Sequence, residues 1–299
     1  MQVTVAKTAG FCFGVRRALE LTQKSAALSP TCTLGELIHN RQVVEELAGQ
    51  GVTVIERPED APAGTAVVIR SHGVGPQVYD TLRAQGSPVI DATCPFVKRI
   101  HQIAAEVPEN GLLLLAGRRE HPEVQGILGY CRGPALVFSS AEEMQELLAF
   151  LPSDGNIPVI LAAQTTFSLR EWEKILFFAK KVCTNLKVFD TICRATIERQ
   201  SEAKQLAQSA DAMVVVGGLR SANTTALAAL CGSYCPTVQV ETADQLERHR
   251  EALRGARFIG ITAGASTPAC IIKEVQNSMS VLENNTEEMN FGELLDQYS

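Results

Sequence analysis

Three cysteines stand in look-alike settings along this 299-residue chain: Gly10-Phe11-Cys12-Phe13-Gly14, Asp91-Ala92-Thr93-Cys94-Pro95 and Asp190-Thr191-Ile192-Cys193-Arg194. Each follows a short β-like run and opens a helix-like run, and they lie 82 and 99 residues apart. Other signals repeat in step with them. His39 lies 27 residues after Cys12, His121 lies 27 residues after Cys94, and Asn223 lies 30 residues after Cys193. Each of these follows a strand-like run, a glycine and a few polar residues, and each precedes a helix-like segment. A third element recurs at 67–73, 159–166 and 258–266. These are apolar runs with little alternation, as expected of strands buried on both faces of a parallel sheet.

One repeat therefore reads helix, strand, polar turn, helix, strand, polar turn, helix, strand, cysteine. Strands alternating with helices give a parallel sheet, and ligands bind beyond the carboxyl ends of its strands. The recurring polar residues all fall at those ends. The predicted fold is α/β: three similar modules with parallel sheets, in a pseudo-threefold arrangement around one central site. The modules run 13–93, 94–192 and 193–282. The third is completed by residues 1–12, because Met1-Gln2-Val3-Thr4-Val5 reads as a strand and delivers Cys12 ahead of the first full repeat. Residues 283–299 are acidic and polar, have no counterpart in the repeats and read as a tail.

Nine cysteines in an odd, unpaired pattern make poor disulfide material and favour metal or redox use for some of them. One thiolate per module leaves one position of a tetrahedral or cubane centre open. Dispersed single cysteines are unlike structural zinc sites, and an electron-transfer ferredoxin needs a fourth thiolate in a tight cysteine-rich run. A [4Fe–4S] cluster on Cys12, Cys94 and Cys193 with one vacant iron fits best. Cys32, Cys131, Cys183, Cys231, Cys235 and Cys270 do not recur in register and are expected to be buried structural thiols.

His39, His72 and His121 all occupy strand-to-helix turns, whereas His101 and His249 lie in polar helix-like stretches and read as solvated surface. With Ser221, Asn223, Ser266 and nearby helix N-termini, the three turn histidines supply hydrogen-bond donors for an anion. No phosphate-loop or dinucleotide glycine fingerprint is present, so the expected ligand is a compact phosphate or diphosphate and not a nucleotide. A net charge of −6 speaks against a nucleic-acid footprint and leaves anion capture to a local pocket. No apolar stretch is long enough to span a bilayer, and the N-terminus lacks a signal-peptide pattern, so a cytoplasmic, non-membrane protein is expected. Glu123 follows Pro122 at a helix start, where the macrodipole lowers a carboxyl pKa. Its use as a proton donor needs nearby anionic charge or hydrogen bonding to raise it. Thr165 and Thr166 are either strand-end hydroxyls or a relay from Glu123.

Together these residues resemble the 4-hydroxy-3-methylbut-2-enyl diphosphate reductases, the IspH/LytB family. The matching segments are Ala9-Gly10-Phe11-Cys12-Phe13-Gly14-Val15-Arg16-Arg17, Gly35-Glu36-Leu37-Ile38-His39-Asn40, Arg70-Ser71-His72-Gly73 and Asp91-Ala92-Thr93-Cys94-Pro95. They continue through His121-Pro122-Glu123-Val124, Gln164-Thr165-Thr166, Thr191-Ile192-Cys193-Arg194, Ser221-Ala222-Asn223-Thr224 and Thr262-Ala263-Gly264-Ala265-Ser266. The resemblance implies a [4Fe–4S] cluster on Cys12, Cys94 and Cys193 with substrate at the fourth iron. It implies an allylic diphosphate substrate held by His39, His72, His121, Thr165, Ser221, Asn223 and Ser266. Glu123 would be the proton source, with Thr165 relaying or orienting. A ferredoxin or flavodoxin would supply electrons, and the products would be isopentenyl and dimethylallyl diphosphates, the last step of the methylerythritol phosphate route. One departure is Ala222, where many relatives carry a second serine; a hydroxyl donor is lost there. Two rival readings are a non-redox [4Fe–4S] hydro-lyase, which needs no reductant, and an iron–sulfur sensor or scaffold, which needs no diphosphate affinity.

Overall fold

Strand formation follows the apolar runs. The computed structural model describes residues 1–149, 157–182 and 185–279, so the expected tail at 283–299 and Cys183 lie outside the described residues. The chain opens with β1 (Gln2–Val5), α1 (Phe13–Ala26), β2 (Thr31–Leu34), α2 (Arg41–Gly49), β3 (Thr53–Ile55), β4 (Ala66–Ile69), α3 (Pro76–Ala84) and β5 (Val89–Asp91). It continues with α4 (Pro95–Ala105), β6 (Leu112–Ala116), α5 (Pro122–Tyr130), β7 (Ala135–Phe138), α6 (Ala141–Ala149), β8 (Val159–Ala163), α7 (Leu169–Val182) and β9 (Leu186–Val188). The last third holds α8 (Arg194–Ser209), β10 (Ala212–Val216), α9 (Ala222–Gly232), β11 (Thr237–Val240), α10 (Arg250–Leu253), β12 (Phe258–Ala263) and helical residues 269–279.

These strands form three four-stranded sheets of one design, ordered β3-β2-β4-β5, β7-β6-β8-β9 and β11-β10-β12-β1. Every neighbouring pair is parallel. In the third sheet the N-terminal strand β1 takes the edge that β5 and β9 hold in the others, pairing Val5 with Ile261. By chain contacts Phe13–Ile197 form one compact unit, with the first two sheets, and Met1–Cys12 with the chain from Glu198 onward form another, with the third.

The inner strands are the core. Val67, Leu113, Leu114, Val214 and Val215 have no solvent exposure, and each such side chain contributes roughly 1.5–3 kcal/mol by leaving water. The outer strands β3, β7 and β11 are absent from the three-strand repeat read from the sequence. Val54 at the centre of β3 is exposed and Gln239 interrupts β11, so the apolar run of β7 (Ala135–Phe138) has no matching run in the other two modules.

Register places the functional turns. Leu34 pairs with Ile69, Ala116 with Ala163, and Val216 with Ala263, so the two inner strands of each sheet end level with one another. The two turns that leave them are therefore neighbours in every module.

Candidate functional site

Counting from those strand ends sorts the polar residues. His39, His121 and Ser221 each lie five residues beyond the first inner strand. Ser221, and not Asn223 as expected from the sequence, is thus the counterpart of the histidines. Asn223 instead takes the place of Glu123, two residues further on. Helix starts follow locally: Asn40, His121 and Ser221 cap α2, α5 and α9, accepting the backbone N–H of Val43, Glu123 and Thr224. Polar caps of this kind satisfy donors that the first helical turn leaves open.

Within the Phe13–Ile197 unit the three turn histidines meet. His39 and His72 stack with ring centroids 4.9 Å apart, and His121 stands edge-on to both, at 6.0 Å and 5.4 Å. One ring nitrogen from each lies within 4.8 Å of the others. Burial, the neighbouring histidines and the Arg70 guanidinium push His72 well below its ordinary range. Burial, His39, Arg118 and Arg70 lower His121 to about 3. Both imidazoles are therefore neutral until something negative joins them.

Such a trio can hold a metal ion or an anion, and the tautomer of His121 decides between them. Its Nδ1 accepts the Glu123 N–H at 3.1 Å, so the ring proton sits on Nε2 and the free edge is a donor. A donor suits an anion and opposes a cation. Arg70 adds to the same field, a role no sequence pattern assigned. Its side chain lies where a Cβ on Gly35 would be, and Gly35 has φ +70°, so only glycine lets the guanidinium cross that turn.

Next to this trio lies a carboxyl. Glu123 is 2% exposed, and its two oxygens accept the Thr165 N–H at 2.6 Å and the Thr165 hydroxyl at 2.7 Å. The expectation that a helix start lowers this pKa is reversed here. Burial raises it to about 7 and outweighs the lowering effect of the Thr165 hydrogen bonds. No neighbouring anion is needed.

The three cysteines share one backbone contact. The N–H of Cys94 donates to the Ser71 carbonyl at 3.0 Å, that of Cys193 to the Thr165 carbonyl at 3.0 Å, and that of Cys12 to the Ala265 carbonyl at 3.2 Å. Each acceptor lies two residues past the second inner strand. Every cysteine of the three immediately precedes a helix, is partly exposed and is in no disulfide. Cys193 Sγ also lies 3.1 Å from Thr196 Oγ1. In the other unit the loop leading to Cys12 is held by two α8 side chains that sequence reasoning missed. Glu202 accepts the N–H of Lys7 and of Thr8 and the Thr8 hydroxyl at 2.6–2.8 Å. Arg199 donates to the carbonyls of Thr8 and Gly10 at 2.7 Å.

The remaining predicted residues of that unit are buried. Ser221 spends its hydroxyl oxygen on the helix cap, whereas Asn223 Nδ2 is buried with no partner among the described residues. Ser266 lies three residues past β12, the place that His72 holds past β4.

Two expectations about side chains outside the site are corrected. His101 is 4% exposed and not solvated; it stacks on Tyr130 at 4.4 Å, and burial lowers it to about 4. Its ring fills the space beside Gly73 (φ +73°), where a Cβ would meet it at 2.6 Å, and so it packs directly behind the His72 turn. Cys270 is exposed, and Cys131 and Cys235 are only partly buried; Cys32 and Cys231 are the buried thiols, the latter raised to about 12 by burial. His249 is partly exposed.

A family profile described as LytB protein matches residues 3–280. The chain belongs to the LytB family. It is 40% identical over 297 residues to a 4-hydroxy-3-methylbut-2-enyl diphosphate reductase of Caldanaerobacter subterraneus subsp. tengcongensis, covering 96% of this chain and 99% of the relative. A reductase of the same name from Geobacter sulfurreducens is 41% identical, covering 95% and 99%. A solved structure described as (E)-4-hydroxy-3-methyl-but-2-enyl diphosphate reductase, the terminal enzyme of the non-mevalonate pathway, is 38% identical with a TM-score of 0.65, covering 94% and 99%. The E-1-hydroxy-2-methyl-but-2-enyl-4-diphosphate reductase of Plasmodium falciparum is 26% identical with a TM-score of 0.86, covering 92% and 87%. LytB membership implies an iron–sulfur cluster, and three partly exposed thiols outside any disulfide, each just before a helix start, are a donor set that fits one. Among the described residues, no helix of this LytB chain is long and apolar enough to cross a membrane.

Proposed function

We propose that this LytB-family chain reductively removes the allylic hydroxyl of (E)-4-hydroxy-3-methylbut-2-enyl diphosphate, giving isopentenyl and dimethylallyl diphosphates. The balance is one substrate, two electrons and two protons to one product and one water. Cys12, Cys94 and Cys193 hold a [4Fe–4S] cluster in this reading. When bound, that cluster supplies electrons and a Lewis-acidic iron without a cysteine ligand.

The protein does the rest. His39, His72 and His121 donate to the diphosphate, and Arg70 adds positive charge behind them. Asn223 and Ser266 add donors from the other unit, where Ser221 chiefly holds the helix end. Ala222 leaves only its backbone N–H where a hydroxyl is common. As the diphosphate replaces water against the histidines, its charge opposes the burial that keeps them neutral, so binding takes up a proton. Glu123, with a pKa near neutrality, holds a proton on its carboxyl, and the Thr165 hydroxyl can accept it and pass its own forward. The division into modules 13–93, 94–192 and 193–282 with 1–12, a cytoplasmic location and a ferredoxin or flavodoxin donor belong to the same reading.

One observation supports it most directly. A continuous hydrogen-bonded run links His121 Nδ1 to the Glu123 N–H, the Glu123 carboxylate to Thr165, and the Thr165 carbonyl to the Cys193 N–H. An anion donor, a tunable acid and a cluster cysteine are thus consecutive members of one chain. Anaerobic iron spectroscopy with and without the diphosphate substrate, followed by product analysis, tests the reading. A substrate-dependent iron signal and reductant-dependent products are expected; water loss without reductant would instead identify a hydro-lyase.

A further inference from the structure

The helices that follow Cys12 and Cys94 begin alike on their outer faces. Phe13 and Arg16 stand one turn apart at the start of α1, and Phe96 and Arg99 do the same at the start of α4. Phe13 is 56% exposed and Phe96 45% exposed, and both arginines are exposed as well. Two large aromatic side chains left in water beside exposed arginines are unusual on a surface with no partner. The third cysteine's helix, α8, opens with Arg194-Ala195-Thr196 and carries no aromatic there.

The two helix starts are joined. Arg17, one turn after Phe13, donates to the carbonyls of Thr93 at 3.3 Å and Asp91 at 3.4 Å, immediately before Cys94. Lys98 holds the Asp91 carboxylate at 2.6 Å, which offsets that negative charge. Glu20 is the nearest acidic residue along α1 from Arg16, one turn further. The result is an apolar and basic patch lying wholly within the Phe13–Ile197 unit, on a chain whose net charge is −6.

We infer that this patch is the docking surface for the electron donor, a small protein with an acidic face that carries one electron at a time. Charge selects the partner: a chain of net charge −6 disfavours an acidic protein in general, whereas this basic patch draws one to a single place. The phenylalanines supply the desolvated contact that holds it, as buried aromatic anchors do in interfaces. Placement selects a redox partner, because the patch grows from the helix starts directly attached to two proposed cluster ligands. Two successive encounters, each delivering one electron, meet the needs of one turnover. This inference rests on the proposed reductase activity.

The test compares two reductants on holoenzyme: a reduced acidic bacterial ferredoxin, and methyl viologen reduced by dithionite, which needs no docking surface. In a Phe96→Ser/Arg99→Ala variant, and separately in Arg16→Ala, the KM for ferredoxin should rise about tenfold and its dependence on ionic strength should flatten. Viologen-driven turnover and iron content should be unchanged. An unaltered ferredoxin KM and salt dependence in both variants overturns the inference, as does an equal loss with both reductants, which would assign the residues to the fold or cluster. If wild-type holoenzyme turns over with neither reductant, the reductase reading itself fails, and that outcome is distinct from both.

Discussion

Glu123 and Asn223 occupy the same place in two modules, two residues beyond equivalent strand-to-helix turns, and are armed differently. Glu123 is preceded by a histidine cap and is a buried acid raised to about 7. Asn223 is preceded by a serine cap and is a buried amide with an unused Nδ2. The facing positions differ to match: Thr165 supplies an N–H and a hydroxyl to Glu123, whereas the equivalent Ala265 has no hydroxyl to offer Asn223. One repeated frame therefore yields a proton-handling turn and a turn whose donors do not titrate. The Phe13–Ile197 unit is expected to carry the pH dependence of the enzyme, and the other unit to recognise ligand at any pH.

The cysteines are where the units do not differ, so the largest effect falls there. Cys193→Ser should lower iron content and abolish turnover; normal iron with normal activity would remove Cys193 from the ligand set. Next comes Glu123→Gln. Turnover should drop roughly 10²–10⁴-fold, the span of general acid catalysis, with substrate affinity by anaerobic calorimetry unchanged. Because the acid form is the competent one and its pKa is raised to about 7, the wild-type rate should be full below that pH and decline above it. The Gln variant should lack this limb. A Gln variant as fast as wild type would move the proton donor elsewhere and erase the contrast with Asn223.

A smaller effect separates the caps. His121→Ala should weaken diphosphate binding by about 1.5–3 kcal/mol, as for a hydrogen bond to a charged group, and should reduce the proton uptake measured in buffers of different ionisation heat. Ser221→Ala should cost about 1 kcal/mol of stability through its helix cap, leaving proton uptake intact. Equal proton uptake in both variants would break the assignment of titration to the histidine unit.

The remaining effects fall on stability alone and concern the frame behind His72. Gly73→Ala combines a left-handed backbone with a Cβ pressed on His101 and should cost about 3 kcal/mol in urea unfolding. Gly86→Ala, also at positive φ but with open space around it, should cost only about 1 kcal/mol. Acid should tell on the same region. His101 falls from an ordinary 6.5 to about 4 in the folded chain, so the stability it contributes is present above 6.5 and lost as pH falls towards 4. Replacement of His101 by Gln should flatten that loss.

Much of this was legible in one dimension because the chain repeats itself. Three buried parallel strands per module, the cysteines and the histidine turns each recur at similar intervals, and recurrence separates Cys12, Cys94 and Cys193 from the other cysteines. The match of Asn223 to the histidines did not hold: it lies 30 residues after Cys193 against 27 for His39 and His121 after their cysteines, whereas Ser221, the place that strand register assigns, lies 28 after it. His101 was misread because Lys98, Arg99 and Gln102 surround it in sequence, while the residues that bury it, including Tyr130 and the Gly73 turn, come from other elements.

Residue type and period by themselves determined the three α/β modules and set Cys12, Cys94 and Cys193 apart from the other cysteines, since both depend on local pattern. Only the tertiary structure decided which way the groups titrate. A helix start lowers a carboxyl and a solvated histidine titrates near neutrality, but burial acts in the opposite sense on Glu123 and holds His72 and His121 uncharged. Desolvation depends on every atom packed around the group, and those atoms come from strands and helices far apart in the chain.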